Sequence, residues 1–343
     1  MSASIEGAVT RPAEGDGARD QGGFARYDVV VIGGGAAGLG GALTLARARR
    51  SVLVIDAGRP RNAPAEGVHG FLTREGTPPA EIAALGRAEV AHHGGEIVSG
   101  DVVALERIED GFRVLLAEGD PVEAARLLVT TGLVDELPEV PGLAERWGRD
   151  VLHCPYCHGW EVRDEPIAVL STGPMAMHQT LLWRQWSSRV TFLRHTGPEP
   201  TPEEYEQLAA RGITVVDTPV TGLDVVDDRL AGVRLADGGG VECRALVVGT
   251  RFDARGHILA DLGLPVADFE MGGNVLGTHI PADALGATEV PGVWVAGNVT
   301  SPADQVVSAA AAATRAAAAI NMDLIAQETR QAVTALREAR AHA

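Results

Sequence analysis

The chain has 343 residues, 45% hydrophobic and 22% charged, a globular balance that supplies a sizeable core, excludes wholesale disorder and, at roughly 150 residues per domain, predicts two domains. Its 29 basic residues against 46 acidic ones leave a net charge of −17, which argues against nucleic acid or an anionic membrane surface as a partner. All the basic residues are arginine; the absence of lysine excludes Schiff-base lysine chemistry and a Walker-type phosphate site.

Residues 1–23 are polar and Gly-rich, lack the apolar core of a secretory signal, and read as a disordered extension. No stretch offers the about 20 strongly apolar residues of a membrane span, so a cytoplasmic protein is expected. Tyr27 to Ile32 is a continuous apolar run, as in a strand buried on both faces. Gly33-Gly-Gly-Ala-Ala-Gly38 follows, then a helical pattern over Leu39 to Arg50 and a second buried strand, Ser51 to Ile55, ending at Asp56. Within this βαβ unit Gly33, Gly35 and Gly38 have the spacing of a dinucleotide turn. The first allows the tight turn, the second lets backbone approach a pyrophosphate, and the third lets helix and strand pack closely. Asp56 falls near the roughly twenty-residue spacing expected of the acid on a ribose hydroxyl. The motif alone does not separate FAD from NAD.

Segments Glu96 to Leu105 and Gly111 to Leu116 read as antiparallel strands. Ala125 to Thr131 reads as a strand ending at Gly132, and the Pro- and Glu-rich Val134 to Gly142 as a connector. A second βαβ unit begins at Pro166: strand IAVLS, turn Thr172-Gly173-Pro174, helix Met175 to Trp186 and strand Arg189 to Leu193. Ala245 to Gly249 and Val290 to Val299 are further strands. An alanine-rich helix begins near Pro302, and Asp323 to Ala343 reads as an exposed amphipathic helix.

His153-Cys154-Pro155-Tyr156-Cys157-His158-Gly159 carries the most chemistry, and its spacing admits four readings. Cys-x-x-Cys-His is the attachment signature of c-type haem, which belongs to exported proteins. A zinc site would need two more ligands at metal spacing, and neither Cys243 nor the pair His92 and His93 supplies them, so no metal site is expected. Two core cysteines are a third reading. A redox-active dithiol is the fourth and preferred one, because cysteines two apart share a turn that lowers a thiol pKa and speeds exchange. Cys243, in VECRALVV, is expected to pack in the core.

Taken in order, GGGAAG, TTG132, CxxC before a second βαβ unit, and GVWVAGN resemble the low-molecular-weight thioredoxin reductase family over nearly all of residues 26–326. Cys-Pro-Tyr-Cys-His-Gly-Trp-Glu161 looks most like its FAD-dependent dithiol oxidases, which close disulfides in small natural products such as gliotoxin and holomycin. His158 stands where ordinary thioredoxin reductases carry an aspartate. The resemblance implies an α/β fold of two Rossmann-like domains. The FAD-binding domain is discontinuous, over residues 24–137 and 257–326. A smaller, degenerate NAD(P)-type domain over 138–256 carries the CxxC, and 327–343 form a helical tail. FAD contacts are implied at Gly33, Gly35, Ala36, Ala37, Gly38, Asp56, Asn62, Thr131, Gly132, Gly297, Asn298, Gln305 and Val306. Asn298 departs from the family's aspartate, which bonds the flavin ribityl chain. The second turn replaces its first glycine with Ser171, where a Cβ should strain or reshape the loop, and Arg194-His195-Thr196 lacks the arginine cluster that clamps a 2′-phosphate. NADPH binding is therefore expected to be lost or much weakened.

The activity so implied is oxidation of a small dithiol, with oxygen reduced to hydrogen peroxide. The substrate enters at Cys154, Cys157 passes the electron pair to the flavin, and His158, less so His153, handles protons. A homodimer is the implied assembly. An NAD(P)H- or ferredoxin-dependent disulfide reductase and a flavin-loaded, dithiol-sequestering protein are the alternatives.

Overall fold

The computed structural model describes residues 23–342; except for Gly23, the extension expected over 1–23 lies outside the described residues. In chain order, β1 (Arg26–Ile32), α1 (Ala36–Arg47), β2 (Val52–Asp56), α2 (Pro79–His92) and β3 (Glu96–Ser99) precede a meander of β4 (Val102–Ile108), β5 (Gly111–Leu116) and β6 (Val122–Val129). Next, β7 (Leu133–Glu136) leads to β8 (Val151–Leu152), α3 (Pro155–His158), β9 (Ile167–Leu170), α4 (Ala176–Trp183), β10 (Val190–Leu193), α5 (Pro202–Ala210) and β11 (Thr214–Val216). A second meander, β12 (Val220–Val226), β13 (Arg229–Leu235) and β14 (Gly240–Glu242), precedes β15 (Ala245–Val248). The chain returns through β16 (Arg251–Ala254), β17 (Ala267–Met271), β18 (Asn274–His279) and β19 (Val293–Val295) to α6 (Val306–Ala341).

Strand periodicity builds the core. Along β1, Val29 and Val31 enter one apolar cluster and Val30 and Ile32 another; Val52/Val54 and Leu53/Ile55 of β2 divide the same way. Successive side chains point to opposite faces, so a strand apolar at every position is one covered on both sides. The first sheet runs β3-β2-β1-β6-β5-β4, with β19 beside β6. β1 pairs in parallel with β2 on one side and β6 on the other, so the strand order switches direction there and a crevice opens beyond the carboxyl ends. The second sheet, β11-β10-β9-β15-β8, is wholly parallel and alternates its burial likewise, with Ala168 and Leu170 on one face and Ile167 and Val169 on the other. Two Rossmann-like sheets are therefore present, as the resemblance implies.

Three readings need correction. Val134 to Gly142 is not all connector: Leu133–Glu136 is β7, paired antiparallel with β16, whose partner residues lie more than a hundred positions downstream and leave no local signal. The start of the Glu96 segment is β3, an edge strand parallel to β2; its later part is β4, which pairs antiparallel with β5. Asp323 begins no separate helix, because α6 runs unbroken from Val306 to Ala341. Arg126 of β6 ties its middle down, reaching Asp323 and Gln327 at 2.6 Å each. Among the described residues no helix is long and apolar enough to cross a membrane.

Candidate active site

A cavity of about 1440 Å³ opens at the crevice and reaches the CxxC segment. Gly33 turns the chain at φ +106°, and a Cβ there would fall 2.5 Å from the Thr130 carbonyl oxygen. A Cβ on Gly38 would fall 1.8 Å from the Gly33 carbonyl, so Gly38 packs the turn and does not line the cavity. Gly35, at the start of α1, has open space where its Cβ would be and no side-chain cap. Ala36 and Ala37 line the cavity beside it. α6, which packs against α1 closely enough that a Cβ on Gly40 would lie 3.3 Å from the Ala310 carbonyl oxygen, starts the same way: Gln305 gives no side-chain cap, and Val306 lines the cavity. Two uncapped helix starts on one cavity form a cradle for a doubly anionic dinucleotide.

Asn62, Thr131, Gly132, Gly297 and Asn298 also line this cavity. Asp56 accepts the Gly34 N–H at 3.0 Å and ion-pairs with Arg87 of α2. Burial pushes its carboxyl up, but the Arg87 and Gly34 contacts outweigh that and hold it below its ordinary value. Arg87, on another element with no motif around it, was invisible to sequence reasoning. The Asn298 amide donates to the carbonyls of Ser301, Pro302 and Asp304 at 3.1, 3.1 and 2.9 Å. This explains the departure from aspartate: a carboxylate cannot donate to three carbonyls, whereas the amide ties the loop and keeps its oxygen as an acceptor.

Cys154 and Cys157 are half-buried and open onto the same cavity, as do His153 and His158. The Cys157 thiol donates to Cys154 Sγ across 2.7 Å. That hydrogen bond, helped by backbone N–H groups of Cys157 and Tyr156 and by the Gln305 side chain, outweighs burial and lowers the Cys154 thiol to about 7. Cys157 is pushed up, because it donates to Cys154 and is buried beside the charge forming there. The pair thus shares one proton, held by Cys157. Burial lowers both histidines from their ordinary values and keeps them neutral. His153 Nδ1–H donates to the Val248 carbonyl at 3.3 Å and its ring stands edge-on to Phe252, which fixes it at the junction of the sheets. Burial is the largest influence on His158; the charge of Glu161 raises it and that of His69 lowers it by less. Cys243 is buried in the second domain's core, and burial pushes its thiol up to about 12, an inert position.

Arg61 Nε and a terminal guanidinium nitrogen meet the two oxygens of Asp135 at 2.7 Å each, and Thr250 donates to the same carboxylate at 3.0 Å. This clasp joins the loop after β2 to β7 and to Thr250 just before β16, and sequence reasoning missed it. At the second turn, Ser171 is not strained: its backbone is not in the left-handed region, and its carbonyl accepts from Thr196 and Gly197 N–H at 3.2 and 2.8 Å. The Ser171 hydroxyl fills the space that Gly197 leaves by lacking a Cβ. Arg194 sits between two carboxylates, with Asp217 at 2.8 Å and Glu199 at 3.5 Å.

The family described as pyridine nucleotide-disulphide oxidoreductase matches residues 27–319. The curated protein "Thioredoxin reductase tcpT" of Claviceps purpurea is 36% identical over 174 residues, 48% of this chain and 54% of that one, so this match spans about half of the relative's length. "Thioredoxin reductase sirT" of Leptosphaeria maculans is 29% identical over 316 residues, 87% of this chain and 94% of that one. The crystal structure of HlmI is similar with a TM-score of 0.85 at 44% identity, over 96% of this chain and 100% of HlmI.

Proposed function

Because the chain belongs to the pyridine nucleotide-disulphide oxidoreductase family and is thioredoxin reductase-like within it, we propose that it is an FAD-dependent oxidase of a small dithiol. The overall balance is dithiol plus oxygen to cyclic disulfide plus hydrogen peroxide. FAD, when bound, takes the electron pair from the cysteine pair and delivers it to oxygen.

In this reading the cofactor lies in residues 24–137 and 257–326. The turn Gly33 to Gly38 and the start of α1 hold its pyrophosphate, Asp56 receives a ribose hydroxyl, and the free Asn298 oxygen accepts from the ribityl chain. Asn62, Thr131, Gly132 and Gly297 complete the walls, and Gln305 and Val306 present the start of α6. A substrate thiolate attacks Cys154 in the oxidised pair, forming a mixed disulfide, and the Cys154–Cys157 bond breaks. Cys157, whose surroundings hold a proton firmly, leaves and is protonated. The second substrate thiol then attacks the sulfur bound to Cys154, closing the ring and releasing Cys154 as a thiolate. A thiol lowered to about 7 is a good leaving group. His158, neutral through burial, takes the proton of the incoming thiol.

The observation that carries the oxidase half of this reading is the engagement of Arg194 by Asp217 and Glu199. The one arginine at the 2′-phosphate position is already balanced by two acids. The test is oxygen uptake with matching peroxide on adding dithiothreitol, and Cys157→Ser must keep its yellow FAD yet lose turnover. Peroxide formation from Cys157→Ser at the wild-type rate would refute the assignment.

A further inference from the structure

Exposed apolar side chains gather beside the cysteine pair. Among the described residues, Leu72, Trp160 and Tyr156 are, with Met322 of α6, the most exposed large apolar side chains, at 86%, 66% and 61% of their full surface. Scattered singly such residues carry no message, but these three sit on two segments that meet. Tyr156 lies between the two cysteines on α3, and Trp160 follows that helix closely. His69 Nε2 lies 3.6 Å from Glu161 Oε1, which brings the loop carrying Leu72 to the segment carrying Trp160. His69, Phe71, Cys154 and Cys157 line the cavity, whereas Leu72, Tyr156 and Trp160 do not, so the three stand outside its walls, at the rim.

Both segments are braced. Phe71 to Arg74 form a tight turn, closed by the Arg74 N–H on the Phe71 carbonyl at 2.8 Å. Thr73 within it stands at φ +72°, a conformation costly for a β-branched residue and kept only where the surroundings impose it. Glu75 ties the turn to its base, with one oxygen 2.7 Å from His69 Nδ1 and the other accepting the Gly70 N–H at 2.8 Å. The Arg163 guanidinium lies 4.1 Å from the Trp160 ring centre and donates to the Trp160 carbonyl at 2.6 Å, so one face of the indole is covered and the other is left to solvent. Tyr156 stands edge-on to Trp186, with 5.5 Å between ring centres.

We propose that Tyr156, Trp160 and Leu72 determine which dithiol is oxidised: they form an apolar rim for an uncharged dithiol built on a flat ring, the ring resting on the aromatic side chains while its sulfurs enter the cavity to Cys154. This rests on the dithiol oxidase reading above. Aromatic rings gain from offset or edge-on contact with Trp and Tyr beyond the surface they bury. The carboxylates of Glu75 and Glu161 stand on the two segments and disfavour an acidic substrate. Three side chains present less area than the about 800 Å² per partner of a stable protein contact, so the rim suits one ring system and not a folded protein.

The test compares benzene-1,2-dimethanethiol with dithiothreitol, which close cyclic disulfides of the same ring size, by peroxide formation with the FAD-loaded protein. The ratio of their kcat/KM values cancels any loss of flavin or fold common to both. The wild type should favour the aromatic dithiol, and Trp160→Ala should cut that preference about tenfold, the loss of one aromatic contact with the surface it covers. Trp160→Phe should keep most of the preference, and Leu72→Ser should lower it more mildly than Trp160→Ala. Independently of turnover, calorimetric binding of the bis-S-methyl derivative of the aromatic dithiol, which cannot react, should weaken about tenfold in Trp160→Ala. Equal kcat/KM values in the wild type, or a ratio that Trp160→Ala leaves unchanged, overturn the rim while leaving the oxidase reading intact. Oxidation of reduced thioredoxin that outpaces both dithiols and is lost in Trp160→Ala also overturns it, making the patch a protein-docking surface. Wild-type flavin that neither dithiol reduces refutes the oxidase reading and the rim with it.

Discussion

The Asn298 side chain donates to the Asp304 backbone carbonyl at 2.9 Å, and with two further carbonyl acceptors it ties down the segment leading to Gln305 at the start of α6. Asn298→Asp would set a carboxylate against three carbonyl oxygens. The amide has two N–H protons for the three carbonyls, so with roughly 1 kcal/mol net for each hydrogen bond lost we expect a destabilisation of about 2 kcal/mol and more than tenfold weaker FAD retention. Thermal melting and flavin release on dilution measure both. Wild-type flavin retention would mean the loop does not need the amide.

Cys154 is lowered to about 7 chiefly by the Cys157 thiol. At neutral pH about half of reduced Cys154 is therefore thiolate, against a few per cent for an ordinary thiol. Alkylation of reduced enzyme by iodoacetamide should rise through a midpoint near 7, faster above it and slower below. In Cys157→Ala the main lowering contact is gone and burial remains, so the midpoint should move upward. An unchanged midpoint would assign the lowering to the backbone and Gln305 alone.

The Arg61–Asp135 clasp is nearly closed to solvent on the Asp135 side. Removing one partner of such a pair costs more than the pair contributes, because the other charge is left unmatched. Asp135→Asn is expected to lose about 2–3 kcal/mol, less than a fully buried pair because Arg61 is partly exposed. Guanidinium unfolding, with hydrogen exchange of β7 and β16, reads the loss and its location.

Asp217→Asn combined with Glu199→Gln should free Arg194. These are exposed ion pairs and carry little stability, so melting should barely change. Binding of NADP+, negligible in the wild type, should become measurable by calorimetry in the double variant. Tight wild-type binding would show that the turn at Ser171 still accepts the nucleotide.

The parts of the site that were legible in the sequence are those written in a short stretch of chain. Gly33, Gly35 and Gly38 must be neighbours to make one turn, Asp56 ends the next strand, and Cys154 and Cys157 share a turn. Buried parallel strands were legible because apolar residues at every position admit few other structures. What escaped was set by contacts distant in sequence. β7 is a strand because β16 pairs with it, and its own Pro- and Glu-rich surroundings say connector. β3 is parallel because β2 is its neighbour. Arg87, Arg61 and His69 look like ordinary surface residues until the fold brings Asp56, Asp135 and Glu161 to them. A histidine and a glutamate each followed by glycine, at Gly70 and Gly76, were a faint sign of a built loop.

The most direct measurement is an anaerobic titration of the yellow protein with dithiothreitol and, in parallel, with NADPH. Electrons that enter only through Cys154 and Cys157 will bleach the flavin stoichiometrically with the dithiol and leave it oxidised with the nucleotide. Rapid bleaching by NADPH contradicts the account and makes the protein a disulfide reductase.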